Sequence, residues 1–314
     1  MVPDSAQYPL LEEVSEFFRG ESAIARRSLR MPGELAEDAR SLPPSLELEF
    51  LAEVGALVYP DRVLLGLRGV RWFPRAAELP ASARLVGRAR QEADGEVSVS
   101  LSLEQVRDEG GAVLDDTESP HPICRAVLQF GDTYRLTPAP QQFILEPRPE
   151  QLHNGGELYA LAARPDRVSE AFQVVTWARQ CELGRLQGGL APPRQLVKAL
   201  PPNRLQVAPS AMEGTLHMVQ WLWYAFSGEL SRVVTISEAT WYRQPRRGER
   251  LLCDVQLRGT GGGLASCDAL VRDLEGIPVL ELHGIGTTSL PAEEPAPPLP
   301  RLAWQSFVKC LTPR

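Results

Sequence analysis

Glu213 and His217 are the two residues whose types and spacing could do chemistry together. They are four residues apart, so on a helix their side chains lie one above the other on the same face. A carboxylate and an imidazole are acid–base groups, and burial changes the pKa of each. Their neighbours are apolar enough for deep burial, where a polar pair is costly without partners. This stretch is therefore the first candidate site.

The sequence around this pair predicts a helix. Pro209 ends the preceding segment, and Ser210 is placed to cap the free amides of the first turn. Tyr224 lies further along the side that carries the pair. A second buried helix is predicted over residues 46–57, where apolar residues recur at helical spacing, with Ser45 as its expected cap.

Each predicted helix is followed by segments of alternating polarity, which is the period of half-buried strands. These predicted strands cover residues 63–72, 83–90, 96–103 and 123–130 after the first helix, and 233–242, 250–258, 265–273 and 277–284 after the second. Further strands are predicted at 23–29, 172–177 and 186–190. Residues 131–170, which are rich in proline, are predicted to be an irregular connection. This order excludes an alternating βα sheet.

The two halves of the chain match as an internal repeat. The proline–serine steps at Pro44 and Pro209 are 165 residues apart, and Trp72 and Trp241 are 169 apart. A near-constant offset favours duplication. One helix wrapped by an antiparallel sheet, twice over, is an α+β double hotdog. The predicted domains are an N-terminal hotdog at 1–150, a C-terminal hotdog at 151–290 and a proline-rich segment at 291–314.

The bulk composition limits the function. The chain has 314 residues, 43% of them hydrophobic, and a net charge of −7 without a basic patch, which argues against nucleic acid as a partner. No apolar run reaches the roughly 20 residues of a membrane span, and residues 1–5 lack signal-peptide features. The five cysteines form no CxxC pair, and the four histidines are too scattered for a zinc site. We therefore expect a cytoplasmic protein with no membrane contact, no metal and no cofactor.

Residues 207–217 resemble a motif of the dehydratase domains of polyketide synthases, His-Pro-x-x-Leu-Asp-x-x-x-Gln/His, with Glu213 in place of the aspartate. Phe172 and the following glutamine are similar to the end of a later family segment. Four other stretches are also similar: 8–11 to the opening, 48–53 to the central helix, 65–72 to the strand after it, and 268–279 to the closing hairpin. The likeness covers about residues 8–286 and is closest to the enediyne and polyunsaturated-fatty-acid synthase type.

This resemblance implies an activity and a partner. Family members remove water from a β-hydroxyacyl chain carried on the phosphopantetheine arm of acyl carrier protein. A histidine of the first hotdog takes the α-proton, and an aspartate on the second hotdog's helix protonates the leaving hydroxyl. The resemblance therefore implies Glu213 and His217 as catalytic candidates. It also implies a homodimer, an acyl chain beside the helix, and three candidate substrate-binding residues, Pro209, Phe172 and Tyr224.

The histidine of the first hotdog has no counterpart here, because the chain contains no histidine before His121. The corresponding loop, residues 35–43, is also shortened, and Glu37 or Asp38 lies nearest to the position of the missing base. A carboxylate could act as that base only if burial raised its pKa substantially. Asp38 is therefore the third catalytic candidate.

Three functions are open at this point. The first is a dehydratase-like domain that has lost ordinary dehydration and serves shape, dimerisation or carrier-protein docking. The second is a double-bond isomerase or cyclase in which Glu213 or His217 supplies the acid–base residue. The third is a dehydratase that uses carboxylates in place of the histidine. Beside these, a structural Glu213–His217 pair whose members satisfy each other in the core is an equally good interpretation.

Overall fold

A computed structural model of the chain describes residues 8–28, 42–74, 83–105, 121–140, 153–161, 170–182, 184–194, 205–261 and 264–290. Its first half contains strands β1 (Glu13–Phe18) and β2 (Ser22–Ser28), helix α1 (Pro44–Val58), and strands β3 (Val63–Trp72), β4 (Ala83–Ala93), β5 (Glu96–Gln105) and β6 (His121–Gly131). Its second half contains β7 (His153–Asn154), helix α2 (Gly155–Leu161), a 3-10 turn (Glu170–Phe172), β8 (Val175–Glu182), β9 (Arg185–Leu190), helix α3 (Pro209–Ser227), β10 (Ser231–Trp241), β11 (Leu251–Gly261), β12 (Leu264–Arg272) and β13 (Pro278–Ser289).

The described strands form one sheet in the order β1-β2-β4-β5-β6-β3-β10-β13-β12-β11-β9-β8-β7. The two halves join where β3 pairs antiparallel with β10, with Val70 opposite Ile236 and Leu67 opposite Ala239. In each half the joining strand is the one that follows the long helix. This repeated order agrees with the duplication inferred from the sequence.

Each long helix is buried against its half of the sheet, and a glycine allows the close approach. In β4, a Cβ on Gly87 would lie only 2.8 Å from Val54 and 2.9 Å from Phe50 of α1. In α3, a Cβ on Gly214 would lie 2.7 Å from the side chain of Val174. Any larger residue would push the helix away from its neighbours. Both helices also contact each other, which brings the starts of α1 and α3 together.

The predicted serine caps are wrong. The N-cap of α1 is Pro43 and that of α3 is Ala208, and neither forms a side-chain capping hydrogen bond. A proline is the first residue of each helix, a position that proline favours, so Ser45 and Ser210 lie inside the first turn. The free amide of Ser45 is bound instead by a side chain from the other half, described below.

The connection predicted over residues 131–170 is only partly irregular, because β7 and α2 lie within it. Helix α2 has seven residues and opens with two glycines, so it shows neither helical periodicity nor good helix propensity. The strand predicted at 172–177 begins only at Val175, after the 3-10 turn. Strand β1 was not predicted, because its acidic residues mask the alternation.

The described residues contain neither a helix that could span a membrane nor a cluster of metal ligands. None of their helices combines the length and the apolar character needed to cross a membrane. In this same part of the chain, no group of three or more His, Cys, Asp or Glu residues is arranged to hold a metal ion.

Candidate functional site

Glu213 and His217 form a hydrogen-bonded pair on adjacent turns of α3. Nε2 of His217 lies 3.1 Å from Oε1 of Glu213, and both side chains are less than a tenth exposed, at 7% and 6%. The spacing of four residues that singled them out in the sequence therefore does bring them into contact. At this depth their partners, rather than water, determine their protonation.

Tyr159 of α2 extends this pair into a chain of three side chains. Its hydroxyl lies 3.0 Å from Nδ1 of His217, and the backbone N–H of Val175 donates to the same oxygen at 3.2 Å. Because that oxygen already accepts the Val175 amide, the phenolic proton is available for Nδ1. The network then assigns the imidazole proton to Nε2, which donates to Glu213. Tyr159, His217 and Glu213 thus form a continuous donor chain.

The second carboxylate oxygen of Glu213 binds the other half of the molecule. The backbone N–H of Ser45, in the first turn of α1, donates to Oε2 at 3.1 Å. Burial would raise the pKa of Glu213, but the hydrogen bonds from His217 and Ser45 outweigh it, so the pKa lies below its usual range. Glu213 is therefore ionised near neutral pH, with both oxygens occupied.

Aromatic side chains enclose the imidazole. The ring of Tyr159 meets His217 edge-on with centroids 5.4 Å apart, and Trp221 stacks on His217 at 6.3 Å. Tyr159 and Trp221 are themselves in edge contact at 5.0 Å. Burial also raises the pKa of the Tyr159 hydroxyl, so it stays protonated and acts as a hydrogen-bond donor. This apolar surrounding keeps water from the polar chain.

Glu49 of α1 forms the reciprocal contact, from α1 to the segment before α3. Its two oxygens accept the backbone N–H groups of Gln206 at 2.7 Å and Val207 at 2.8 Å, directly before α3. Although both amides favour the ionised form, burial raises the pKa of Glu49 to about 7. The two helices therefore exchange carboxylates, since Glu213 binds the start of α1 and Glu49 binds the approach to α3.

Two more buried glutamates lie on α1. Glu47 accepts the indole N–H of Trp72 at 3.0 Å, and Glu53 accepts the backbone N–H of Leu10 at 2.9 Å. Burial, with a contribution from the charge of Glu49, raises the pKa of Glu53 well above its usual value. These carboxylates hold the first half together through backbone and indole donors.

The remaining predicted site residues lie at varied distances from the pair. Pro209 is the buried first residue of α3, and Phe172 is buried in the 3-10 turn that contacts α3. Tyr224 is only partly buried and lies about 16 Å further along α3 than Glu213, at 1.5 Å per residue. Asp38 and the alternative Glu37 lie outside the described residues.

The sequence interpretation missed Tyr159 and the role of Glu49. Tyr159 lies in the segment predicted to be irregular, and its contact with His217 is tertiary. A usable signal existed for Glu49, because α1 was predicted to be buried and yet carries three glutamates at positions 47, 49 and 53. Buried carboxylates require partners, so these residues mark contacts that the fold must supply.

No protein-family model and no curated sequence matches the chain. The dehydratase domain of a mycocerosic acid synthase-like polyketide synthase is structurally similar, with 16% identity, a TM-score of 0.70, and coverage of 93% of this chain and 99% of that one. Two inactive mutants of the CurK dehydratase are similar at 14% identity, covering 91% of this chain and 100% of theirs. The aspartate-to-asparagine mutant has a TM-score of 0.69, and the histidine-to-phenylalanine mutant has 0.68.

These similarities show the fold. The chain has the double-hotdog fold of polyketide synthase dehydratase domains over most of its length, and the predicted α+β double hotdog is confirmed. The narrower likeness to the enediyne and polyunsaturated-fatty-acid type stays a prediction.

Proposed function

We propose that this chain is a dehydratase-like domain of polyketide or fatty-acid biosynthesis that acts on or docks acyl chains bound to acyl carrier protein. We further propose that it does not carry out ordinary β-hydroxyacyl dehydration. The dehydratase fold supports the first statement, since the similar structures are polyketide synthase dehydratases. The state of Glu213 supports the second.

The main support for the second statement is the hydrogen bonding of Glu213. Its two oxygens accept hydrogen bonds from His217 and from the Ser45 amide, and these favour the ionised form. A general acid must hold a proton before it can give one to a leaving hydroxyl. In the CurK dehydratase, replacing one aspartate or one histidine gives an inactive mutant. Here Glu213 matches the family aspartate, and the chain has no histidine before His121 to match the other residue.

The same observation favours double-bond isomerisation or cyclisation as a second candidate function. In an isomerisation, an ionised carboxylate takes a proton from the γ-carbon of an α,β-unsaturated acyl chain, the double bond shifts, and the proton returns to the α-carbon. No net proton is needed, so an ionised Glu213 suits this role better than that of an acid. His217, supported by Tyr159, stabilises the ionised carboxylate before the first step and again after the second. A dehydratase that uses Asp38 stays a prediction, because Asp38 lies outside the described residues.

Dehydration is tested with β-hydroxyacyl thioesters of several chain lengths, loaded on acyl carrier protein or on pantetheine, and mass spectrometry for loss of water. We expect no loss from the wild type. Glu213→Asp, which restores the family residue, should also be inactive because the histidine is absent. Water loss that Glu213→Gln abolishes would show that the domain is a working dehydratase.

Isomerisation is tested in deuterated water with an α,β-unsaturated acyl thioester, following deuterium incorporation and double-bond position by NMR. Glu213→Gln should abolish exchange above the uncatalysed rate, and Tyr159→Phe should slow it. The exposed Glu229, which lies just beyond the end of α3, provides a matched control through Glu229→Gln, which should exchange like the wild type. Equal exchange in wild type, Glu213→Gln and His217→Ala would remove this helix from the reaction and leave carrier-protein docking as the function.

A further inference from the structure

A groove of about 450 Å³ lies on the first half of the sheet, and arginines form its walls. One row of neighbours crosses four strands: Arg88 of β4 pairs with Ser100 of β5, Ser100 with Arg125 of β6, and Arg125 with Arg71 of β3. In the next row, Arg90 pairs with Ser98. The small serines of β5 therefore form a floor between taller arginines on both sides.

The groove opens on the outer face of the sheet, away from α1. Side chains alternate between the two faces of a strand. Leu85 and Ala89 of β4 are buried, and the missing side chain of Gly87 would point at α1, so these positions face the core. Arg88 and Arg90 therefore face outward, and the groove lies on the opposite side of the sheet from α1.

A bulge in β3 adds to the positive charge of this face. Arg68 and Arg71 are three residues apart, so a regular strand would point them to opposite faces. The pairing of β3 with β6 shifts register between them, and Gly69, which lines the groove, has φ +62°. Glycine adopts this left-handed conformation without a steric cost. Both arginines are consequently exposed on the outer side.

The groove arginines have no acidic partner among the described residues. Two carboxylates near the groove are committed elsewhere, since Glu96 binds Arg68 at 2.7 Å and Glu104 binds Arg26 at 3.2 Å. Glu92 is exposed and forms no ion pair in the part of the chain that the structure describes. Within the described ranges, four arginines in and beside the groove form no ion pair: Arg71, Arg88, Arg90 and Arg125. They are concentrated on one face of a protein whose net charge is −7.

Neighbouring groups orient these arginines while leaving most of their N–H donors unused. The guanidinium groups of Arg71 and Arg125 lie over the ring of Phe73, at 5.5 Å and 5.6 Å from its centroid. Arg88 gives one of its five donors to Ser102, at 3.0 Å. Like charges directly opposite each other, as in the Arg71–Arg125 pair, destabilise a sheet. A bound anion would remove that repulsion.

We propose that this groove binds the phosphate group of a small phosphorylated molecule. Guanidinium groups bind phosphate oxygens with two parallel hydrogen bonds, and the serine hydroxyls of the floor supply further donors. The volume accommodates a ligand larger than phosphate alone. The proposal is independent of Glu213 and of any reaction at α3, because it rests on the other face of the sheet.

The test is calorimetric titration with pyrophosphate at constant ionic strength, with inorganic phosphate and citrate as parallel probes. We expect saturable binding of pyrophosphate, weaker binding of phosphate, and none of citrate at the same concentration. Arg88→Gln/Arg125→Gln should weaken pyrophosphate binding at least tenfold. Arg84→Gln is the matched control, because Arg84 lies on the same strand and face but pairs with Glu13 at 3.8 Å, and it should bind like the wild type.

Melting temperatures distinguish a loss of anion binding from misfolding of the variants. Without anion, Arg125→Gln should melt at or above the wild-type temperature, because the opposed like charges are removed. With pyrophosphate, the wild type should gain melting temperature and the double variant should not. The proposal is overturned if pyrophosphate does not bind saturably, if citrate binds equally well, or if Arg84→Gln weakens binding as much as the double variant.

Discussion

The two central helices bury the same type of residue and use it differently. Glu49 on α1 and Glu213 on α3 each accept a backbone amide at or before the start of the opposite helix. The second oxygen of Glu49 accepts another amide, whereas that of Glu213 faces the imidazole of His217. The two contacts are thus equivalent in position but differ in one partner.

That partner reverses the effect of burial on the pKa. Burial raises the pKa of Glu49 to about 7 against two amide hydrogen bonds. For Glu213, burial is outweighed by His217 and Ser45, so the pKa is lowered. A buried carboxylate therefore does not by itself mark a site of chemistry. A titratable partner makes such a carboxylate a candidate site, because a proton can pass between two groups that both titrate.

The largest effect on the free energy of unfolding is expected from Glu49→Ala, which tests whether Glu49 stabilises the contact between the two halves. It leaves the amides of Gln206 and Val207 without acceptors, at about 1–3 kcal/mol each, so we expect about 3 kcal/mol of lost stability. Urea denaturation measures this. Glu49→Gln, which keeps one acceptor oxygen, should cost less, and Glu157→Ala on the exposed side of α2 should stay within about 0.5 kcal/mol of wild type. If Glu49→Ala unfolded at the same urea concentration as the wild type, Glu49 would not stabilise the contact between the two halves.

The pH dependence of stability should separate the two glutamates by sign. Between the unfolded pKa of about 4.3 and the folded pKa of about 7, native Glu49 binds more protons than unfolded Glu49, so its contribution falls as pH rises, by up to about 1.4 kcal/mol per pH unit. Glu213 has a lowered pKa, so its contribution is present above the unfolded pKa and is lost as pH falls through the folded one.

Urea denaturation from about pH 2 to pH 8 tests this contrast, because the Glu213 contribution is lost below its unfolded pKa of about 4.3. Glu49→Gln should flatten the decline toward pH 7, with a residual slope from Glu53, whose pKa is also raised. Glu213→Gln should instead reduce the loss of stability on the acid side. Slopes of the same sign for both glutamates would mean that His217 does not set the state of Glu213.

Local patterns in the sequence predicted most of the fold. Apolar spacing located α1 and α3, alternation located most of the strands, and the i,i+4 spacing located the Glu213–His217 pair. Contacts between distant segments were not predictable in this way. Tyr159 is 58 residues from His217, and Ser45 is 168 from Glu213. The Ser45–Glu213 contact depends on the pairing of β3 with β10, which joins the two hotdogs. The Tyr159–His217 contact depends on the packing of α2 within the second half. No local pattern encodes either contact.

A smaller effect is expected from Tyr159→Phe, which tests the polar chain in the second half. It leaves Nδ1 of His217 and the amide of Val175 without the hydroxyl, so we expect a loss of about 1.5 kcal/mol. Tyr59, which follows α1, is the matched control, because its hydroxyl also bridges backbone groups, Ala93 and Gly95, but nearer the surface. Tyr59→Phe should cost about 0.5 kcal/mol or less. Equal losses would show that the His217 contact adds nothing to an ordinary tyrosine hydrogen bond.

The smallest effect concerns the residues that begin the two helices. Pro43 before α1 has φ −57°, which suits proline, whereas Ala208 before α3 has φ 52°, in the left-handed region. That conformation costs a residue with a Cβ about 1–2 kcal/mol, while the buried methyl of Ala208 contributes about 0.8 kcal/mol, so Ala208→Gly should stabilise by about 0.5 kcal/mol. Pro43→Ala should destabilise by about 0.4–1 kcal/mol, because the unfolded chain gains freedom. Opposite signs in thermal denaturation would show that the fold strains the backbone only at the helix carrying Glu213, where strain commonly accompanies a functional site. A destabilised Ala208→Gly would mean that packing of the methyl, rather than strain, governs this position.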